Sequence, residues 1–371
     1  MNNKKLGILT FHSVSNYGAV LQAYALSKTI LDKGYNCEII DYQNNEIKKE
    51  YKIFSKNKIN LKHPKLMINN ILMIPHIKQR NKIFSQFRKN YLHISEKQYN
   101  ELTFPDKDEY EAIIAGSDQI WNFRCNGNDT HYLLDFVDKK ECKCYSYAAS
   151  LGAKTLSEEE KKVYKNLLED FEEISVREHS SALMLEEILH KKIRTSVDPT
   201  LLLTKNDWAK LKTDTLEKNY VLVFLMSHSD KILSDAYRFA QKRKKKLIYI
   251  NMYKAYQPKE YNSVYSATPK EWLGLIANAD YIITNSFHGT VFSIIFERQF
   301  TVLPINDKGK NERLIQLLEI TGLQQRLQNY SIDFKEEDIN YIEVNEKIKE
   351  ERKTDLLYLD SILKNIFDTN K

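Results

Sequence analysis

A chain of 371 residues, 42% hydrophobic and 11% aromatic, is long enough for two ordinary domains, each with its own core. Its longest apolar run, VLVFLM at 221–226, is far too short to span a bilayer, and the short apolar run ahead of His12 does not make a signal peptide, so a cytoplasmic protein is expected. The net charge of +6 is uneven: residues 42–98 hold 13 Lys/Arg against 3 Asp/Glu, which leaves the rest of the chain acidic.

LGILTF reads as a buried first strand. NYGAVLQAYALSKTILDKGY follows, with Val20, Leu21, Tyr24, Ala25, Leu26 and Ile30 at helical spacing and Gly34 where the helix should stop. CEIIDY is a second strand, so this is a β-α-β unit whose first turn carries Asn16, Tyr17 and Gly18. In the basic segment that comes next, Ile83, Phe84, Phe87 and Tyr91 form one apolar stripe and predict an amphipathic helix over 77–91. A block of like charge is most simply a solvated insertion; it also suits an anionic membrane surface at the inner face of the cell.

YEAIIAGSDQIWN reads as a strand and a polar turn, CYSYAASLG as another strand, 157–172 as a charged helix, EEISVRE as a strand, and IRTSVDPTLLL as the exit of this half. Polar residues 204–219 predict a boundary. Beyond it the alternation restarts: strand YVLVFLM, helix 230–242, strand LIYIN, helix 269–278, strand YIITN, helix 288–297, strand FTVLPI, and a final helix over 345–367. Strands alternating with helices predict an α/β protein with parallel sheets covered on both faces. We therefore expect two Rossmann-like domains, 1–205 and 219–344, with segment 345–371 packing back on the first. Ligands would bind in the cleft between them, at the C-terminal strand ends.

His288 directly follows the strand YIIT and opens a helix, where unpaired amides favour an anion. Asn285, Ser286 and Thr290 add polar groups, Gly289 permits close approach of a ligand, and His288 can donate a proton near neutral pH. A helix cap and a packed ring would equally fit these residues. Asp118 lies just past a strand and can orient or deprotonate a hydroxyl, or make an Asx turn. Arg177 at a strand end can grip a carboxylate or phosphate in a bidentate fork, or pair with Glu178. Arg313 opens the pattern RLIQLLEI beside the loop that carries Lys308 and Lys310. No metal site is expected: His288 has no partner His at helical spacing, and the four cysteines form no C-x-x-C pair.

In this order, NYGAVLQAYAL, GSDQIWN, YAASLG, SVREHSS, VDPTLLL and NSFHGTVFSI resemble the polysaccharide pyruvyl transferase family, over about residues 6–325. The resemblance implies a fold like the two-domain glycosyltransferase B type. It implies transfer of a pyruvyl group from phosphoenolpyruvate to a sugar, with ketal formation and no metal or other cofactor. It places the family's histidine-glycine pair on His288 and Gly289 and its arginine on Arg177. Several members carry an arginine two residues before the histidine, where this chain has Ser286, so Arg313 or a lysine of 307–310 would supply that charge. The donor is then expected against Arg177, Asn285, Ser286, Gly289, Thr290 and Arg313, with His288 and Asp118 catalytic. The acceptor, lipid-linked sugars included, is expected against Asn16, Tyr17 and Gly18, and no nucleic-acid partner is expected. The alternatives are a nucleotide-sugar glycosyltransferase on the same scaffold and a non-catalytic binder of anions or nucleic acid.

Overall fold

The continuous apolar runs become strands buried on both faces. The computed structural model describes residues 5–51, 64–106, 109–305, 308–328 and 337–367. The first half runs β1 (Leu6–Leu9), α1 (Tyr17–Asp32), β2 (Cys37–Tyr42), α2 (Asn45–Tyr51), α3 (Pro64–Leu72), α4 (Ile74–Tyr91), β3 (Ile94–Tyr99), β4 (Ala112–Ala115), α5 (Phe123–Asn126), β5 (Lys143–Ser146), α6 (Glu158–Leu168), β6 (Ser175–Val176), α7 (His179–Leu189) and β7 (Arg194–Thr195). After α8 (Lys205–Leu211) the second half runs β8 (Tyr220–Phe224), α9 (Asp230–Lys242), β9 (Lys246–Ile250), β10 (Ser263–Val264), α10 (Pro269–Ala277), β11 (Tyr281–Thr284), α11 (Phe287–Ile295), β12 (Gln299–Val302), α12 (Lys308–Thr321) and α13 (Tyr341–Phe367).

The sheets have the orders β3-β2-β1-β4-β5 and β10-β9-β8-β11-β12, parallel throughout. Both are the half-Rossmann order, in which the chain reverses direction across the sheet beside the first strand and opens a crevice there. The expected pair of Rossmann-like α/β units is thus what forms. The short parallel pair β6-β7 continues the first sheet through single bridges from Tyr145 to Glu173 and from Ala149 to Val176.

The expected boundary stretch carries structure of its own, and one local expectation needs correction. The polar stretch 204–219 is partly helical: Thr204 and Asp207 make a capping box for α8, and its Trp208 is fully buried. The loop drawn around Lys308 and Lys310 is shorter than expected, because α12 already begins at Lys308 and Asn311 closes a two-way hydrogen bond with the Ile305 backbone (2.9 and 2.7 Å). The side chains of Lys308 and Lys310 lie outside the described residues, as do 52–63 of the basic segment and 368–371 of the last one.

Three of the joints between the halves, among the described residues, frame the crevice. At the first, the Tyr17 ring stacks on Trp272 (centroids 5.0 Å apart, planes at 9°) and its hydroxyl donates to Ala267 O at 2.8 Å. Such an aromatic pair contributes roughly 0.5–1.5 kcal/mol beyond its area burial. At the second, α3 and α4 grip the loop before α10. Asn69 exchanges hydrogen bonds with Tyr253 O and Ala255 N, and the His76 ring stacks on Tyr265. At the third, α13 leaves the second half, where Tyr341 donates to Ser293 O and Asn345 to Glu297, and ends on the first. There Asp355 accepts from Val197 N and Arg194, Lys33 pairs with Asp360, and Phe367 stacks on Tyr35.

Candidate active site

Three strand ends and three helices deliver the polar groups of the crevice. Past β4, Ser117 and Asp118 turn the chain; Asp118 adopts a left-handed backbone (φ 74°), held by Ser150 N donating to its carbonyl. Past β6 comes Arg177, past β7 comes Asp198, and from the second half come His288 at the start of α11 and Arg313 on α12. The start of α1 completes the wall: a Cβ at Gly18 would lie 1.9 Å from His288 Nδ1, so the imidazole rests on that glycine.

Asp198 is the hub. It is 1% exposed, and its Oδ1 accepts from Thr200 N (3.0 Å) and Thr200 Oγ1 (2.6 Å). Its Oδ2 lies 3.0 Å from Arg177 Nη2 and 3.4 Å from His288 Nε2, and accepts from Ser117 Oγ at 3.4 Å. Burial pushes this carboxyl up, but the Arg177 charge, the His288 ring and the Thr200 hydroxyl outweigh it and hold the group well below the usual carboxylate range. The contact with His288 is long, and Nε2 makes no hydrogen bond among the described residues, which leaves that nitrogen available.

Arg177 is 4% exposed and also donates from Nη2 to Ser117 Oγ at 2.5 Å. Its Nε and Nη1 find no partner among the described residues. Its guanidinium lies 5.0 Å from the Phe287 ring centre, and that of Arg313 lies 5.4 Å from the same ring. Arg313 Nη1 is 4.0 Å from Asp118 Oδ1, and its Nε has no partner among the described residues. Burial, then the charge of Arg177, lowers the Arg313 pKa. Two guanidiniums, one buried and one half-buried, that repel each other and carry open N–H groups favour an anion beside them.

Several expected ligands are otherwise engaged. Ser286 caps α11 by accepting from Gly289 N (3.2 Å), and Thr290 donates to Ser286 O (3.0 Å), so neither the Gly289 amide nor the Thr290 hydroxyl is free for a donor. A Cβ at Gly289 would meet Thr284 Oγ1, so this glycine serves packing rather than ligand approach. Asn285 accepts from Met226 N at 2.6 Å and fixes the exit of β8. Asn16 caps α1 at Ala19 N (3.3 Å). Tyr17 is no acceptor platform, because its ring and hydroxyl are consumed by the joint with the second half. Asp118 accepts from Gln119 N at 2.9 Å and still faces Arg313. Arg177 pairs with Asp198, not Glu178, which instead accepts from Ser150 and Ser181. Asp198, Ser117 and Phe287 were missed as site residues. Asp-Pro-Thr after a strand is the one local signal for Asp198. Among the described residues no cluster of three or more His, Cys, Asp or Glu side chains could hold a metal.

A family model described as polysaccharide pyruvyl transferase matches residues 16–307, a span that takes in Asn16, Asp118, Arg177, Asp198 and His288. The chain belongs to the polysaccharide pyruvyl transferase family. It is thereby placed in a transferase family whose name implies a polysaccharide or sugar acceptor. Arg313 lies beyond the matched span, so the second guanidinium is a feature of this chain's structure rather than of the family match. No match was found among curated proteins. Among solved structures, the S. aureus MnaA–UDP structure is 10% identical, with 94% of this chain and 87% of that chain covered and a TM-score of 0.48. UDP-GlcNAc 2-epimerase from Neisseria meningitidis bound to UDP-GlcNAc is also 10% identical (97% and 100% covered, TM-score 0.47). Arabidopsis thaliana UGT89C1 is similar at the same identity (96% and 93% covered, TM-score 0.44).

Proposed function

We propose that this family member transfers a pyruvyl group from phosphoenolpyruvate to a sugar of a cell-surface glycan precursor, free or lipid-linked, and closes a ketal across two hydroxyls. The observation that carries the reading is the pair Arg177, buried, and Arg313, half-buried, whose guanidiniums both lie near the Phe287 ring next to His288 and carry N–H groups with no partner among the described residues. The donor's phosphate and carboxylate would engage these N–H groups and those first amides of α11 that the Ser286 cap leaves open.

The enol phosphate resists oxygen nucleophiles until its methylene carbon is protonated. His288, as general acid, supplies that proton, and the adjacent carbon gains cationic character. Asp198 stabilises the charged imidazole before the transfer and holds Arg177 in place throughout. A sugar hydroxyl adds to the cationic carbon, with Asp118 positioned to accept its proton. The carbon–oxygen bond to phosphate then breaks, phosphate leaves with the electron pair and takes up the proton held by Asp118, and a second hydroxyl adds to close the ketal, returning its proton to His288. This chemistry is acid and electrostatic, and it calls for no resident cofactor.

The test is incubation of the full chain with phosphoenolpyruvate and a panel of nucleotide-linked and lipid-linked sugars. Phosphate release with a matching mass gain on one sugar is expected. Binding of a uridine nucleotide without binding of phosphoenolpyruvate would overturn the reading in favour of a nucleotide-sugar transferase.

A further inference from the structure

The helices α3 and α4 form nearly one rod, since Met73 N still donates to Asn69 O and Ile77 N to Met73 O across their junction. One face of the rod is fully engaged. Asn69 and His76 hold the second half, Met73, Phe84 and Phe87 are buried, and Asn81 accepts from Ser15 in the loop before α1. The opposite face, at the same helical period, carries Ile68 (55% exposed), Ile71 (52%) and Leu72 (55%) on one turn, then Lys78, Lys82 and Lys89. Exposed aliphatic residues are ordinary when scattered, but three on one turn form a patch. No acidic residue occurs between Glu50 and Glu96, so nothing in this segment neutralises the lysines.

We infer that this outer face of α3 and α4 docks on an anionic lipid bilayer. Ile68, Ile71 and Leu72 would enter the headgroup–acyl boundary, and the lysines would meet the negative surface potential. The aliphatic wedge favours a membrane over nucleic acid, which offers phosphates but no apolar phase to receive it. The inference goes beyond the reaction and stands on surface residues alone. Its consequence for the reaction is positional. The rod is one helix thick, about 10–12 Å, and its inner side touches the loop that leads to Asn16. A lipid-linked acceptor would then reach the crevice from the membrane without leaving its bilayer.

The experiment is flotation of the full chain with phosphatidylcholine vesicles, with and without phosphatidylglycerol, at low and high salt and without phosphoenolpyruvate. Binding only to the anionic vesicles, weakened by salt, is expected. Lys78→Gln with Lys82→Gln should lower partition by about 25-fold, taking about fivefold per lysine at the surface. Ile68→Asp with Ile71→Asp should lower it by roughly tenfold or more. All four positions are exposed, so melting temperatures should be unchanged. Three results would overturn the proposal: no binding at low salt, binding indifferent to these variants, or displacement from vesicles by RNA at stoichiometric concentration. A concentration-dependent dimer abolished by Ile71→Asp would assign the patch to a second copy instead. None of these outcomes bears on phosphoenolpyruvate turnover, so the two readings fail separately.

Discussion

Replacing Gly18 with alanine tests how closely the two halves are fitted at the reacting histidine. Gly18 has an ordinary helical backbone, so alanine carries no conformational penalty there, and its helix propensity alone would stabilise by up to about 1 kcal/mol. The new Cβ, however, would lie 1.9 Å from His288 Nδ1, where ordinary contact begins at 3.4 Å. The imidazole, or α1 against α11, must therefore give by about 1.5 Å. Overpacking of this kind costs about 1–3 kcal/mol, so the net expectation is a modest loss of stability. A displacement near 1 Å at a reacting group costs about 100-fold in rate, so turnover should fall far more than stability does. The assays are denaturant unfolding and phosphate release from phosphoenolpyruvate. The decisive comparison is a double-mutant cycle: adding His288→Ala should recover most of the lost stability, with a coupling of about 1–3 kcal/mol. If Gly18→Ala alone is fully active, or the cycle shows no coupling, the imidazole does not rest where the structure places it.

Four further substitutions separate the roles of neighbouring groups. His288→Gln should lower turnover by about 10²- to 10⁴-fold with little change in melting temperature, whereas Arg177→Lys should first weaken donor binding, measured by calorimetry, because the planar fork is lost. Asp198→Asn should destabilise by about 3–5 kcal/mol by breaking a buried ion pair. Because the folded protein depresses the Asp198 pKa, wild type holds this contribution in full above its unfolded value, near pH 3.9, and loses it as pH falls toward the folded value. The variant's unfolding free energy should accordingly depend less on pH below about 4, as read by urea titration across pH. Tyr17→Phe should cost about 1 kcal/mol from the lost bond to Ala267 O and leave the acceptor KM unchanged; a raised KM with normal stability would return Tyr17 to the acceptor site.

How far the chain could be read depended on where each residue ends up. Helix 230–242 was legible to the residue because its apolar period is strong and Ser229 caps it. Strands β3 and β10 were not seen, and they are the same element in the two sheets, the outermost strand on one side. Such an edge is half solvated, so ISEKQY at β3 shows no apolar run, and two-residue pairings like β10 leave no pattern at all. In the site, His288 and Arg177 were legible as residues at strand ends. Asp198 stood within a quoted motif without a role, because its partners come from positions 117, 177, 200 and 288, a meeting that no local window contains. Tyr17 misled for the opposite reason: an aromatic beside a polar turn looks like a sugar platform until the second half is seen to cover it.

The path of α13 sets an order on biosynthesis. Its last turns supply Leu359, Ile362, Leu363 and Ile366 to the buried core, and Phe367 and Asp355 fasten to Tyr35, Arg194 and Val197 in the first half. A ribosome therefore finishes the first sheet well before the helix that seals it exists. At about 5–20 residues per second, that half waits roughly 10–30 s with an apolar flank uncovered. The vulnerable species during synthesis is the earlier half, and a chaperone would be needed there rather than at the nascent end.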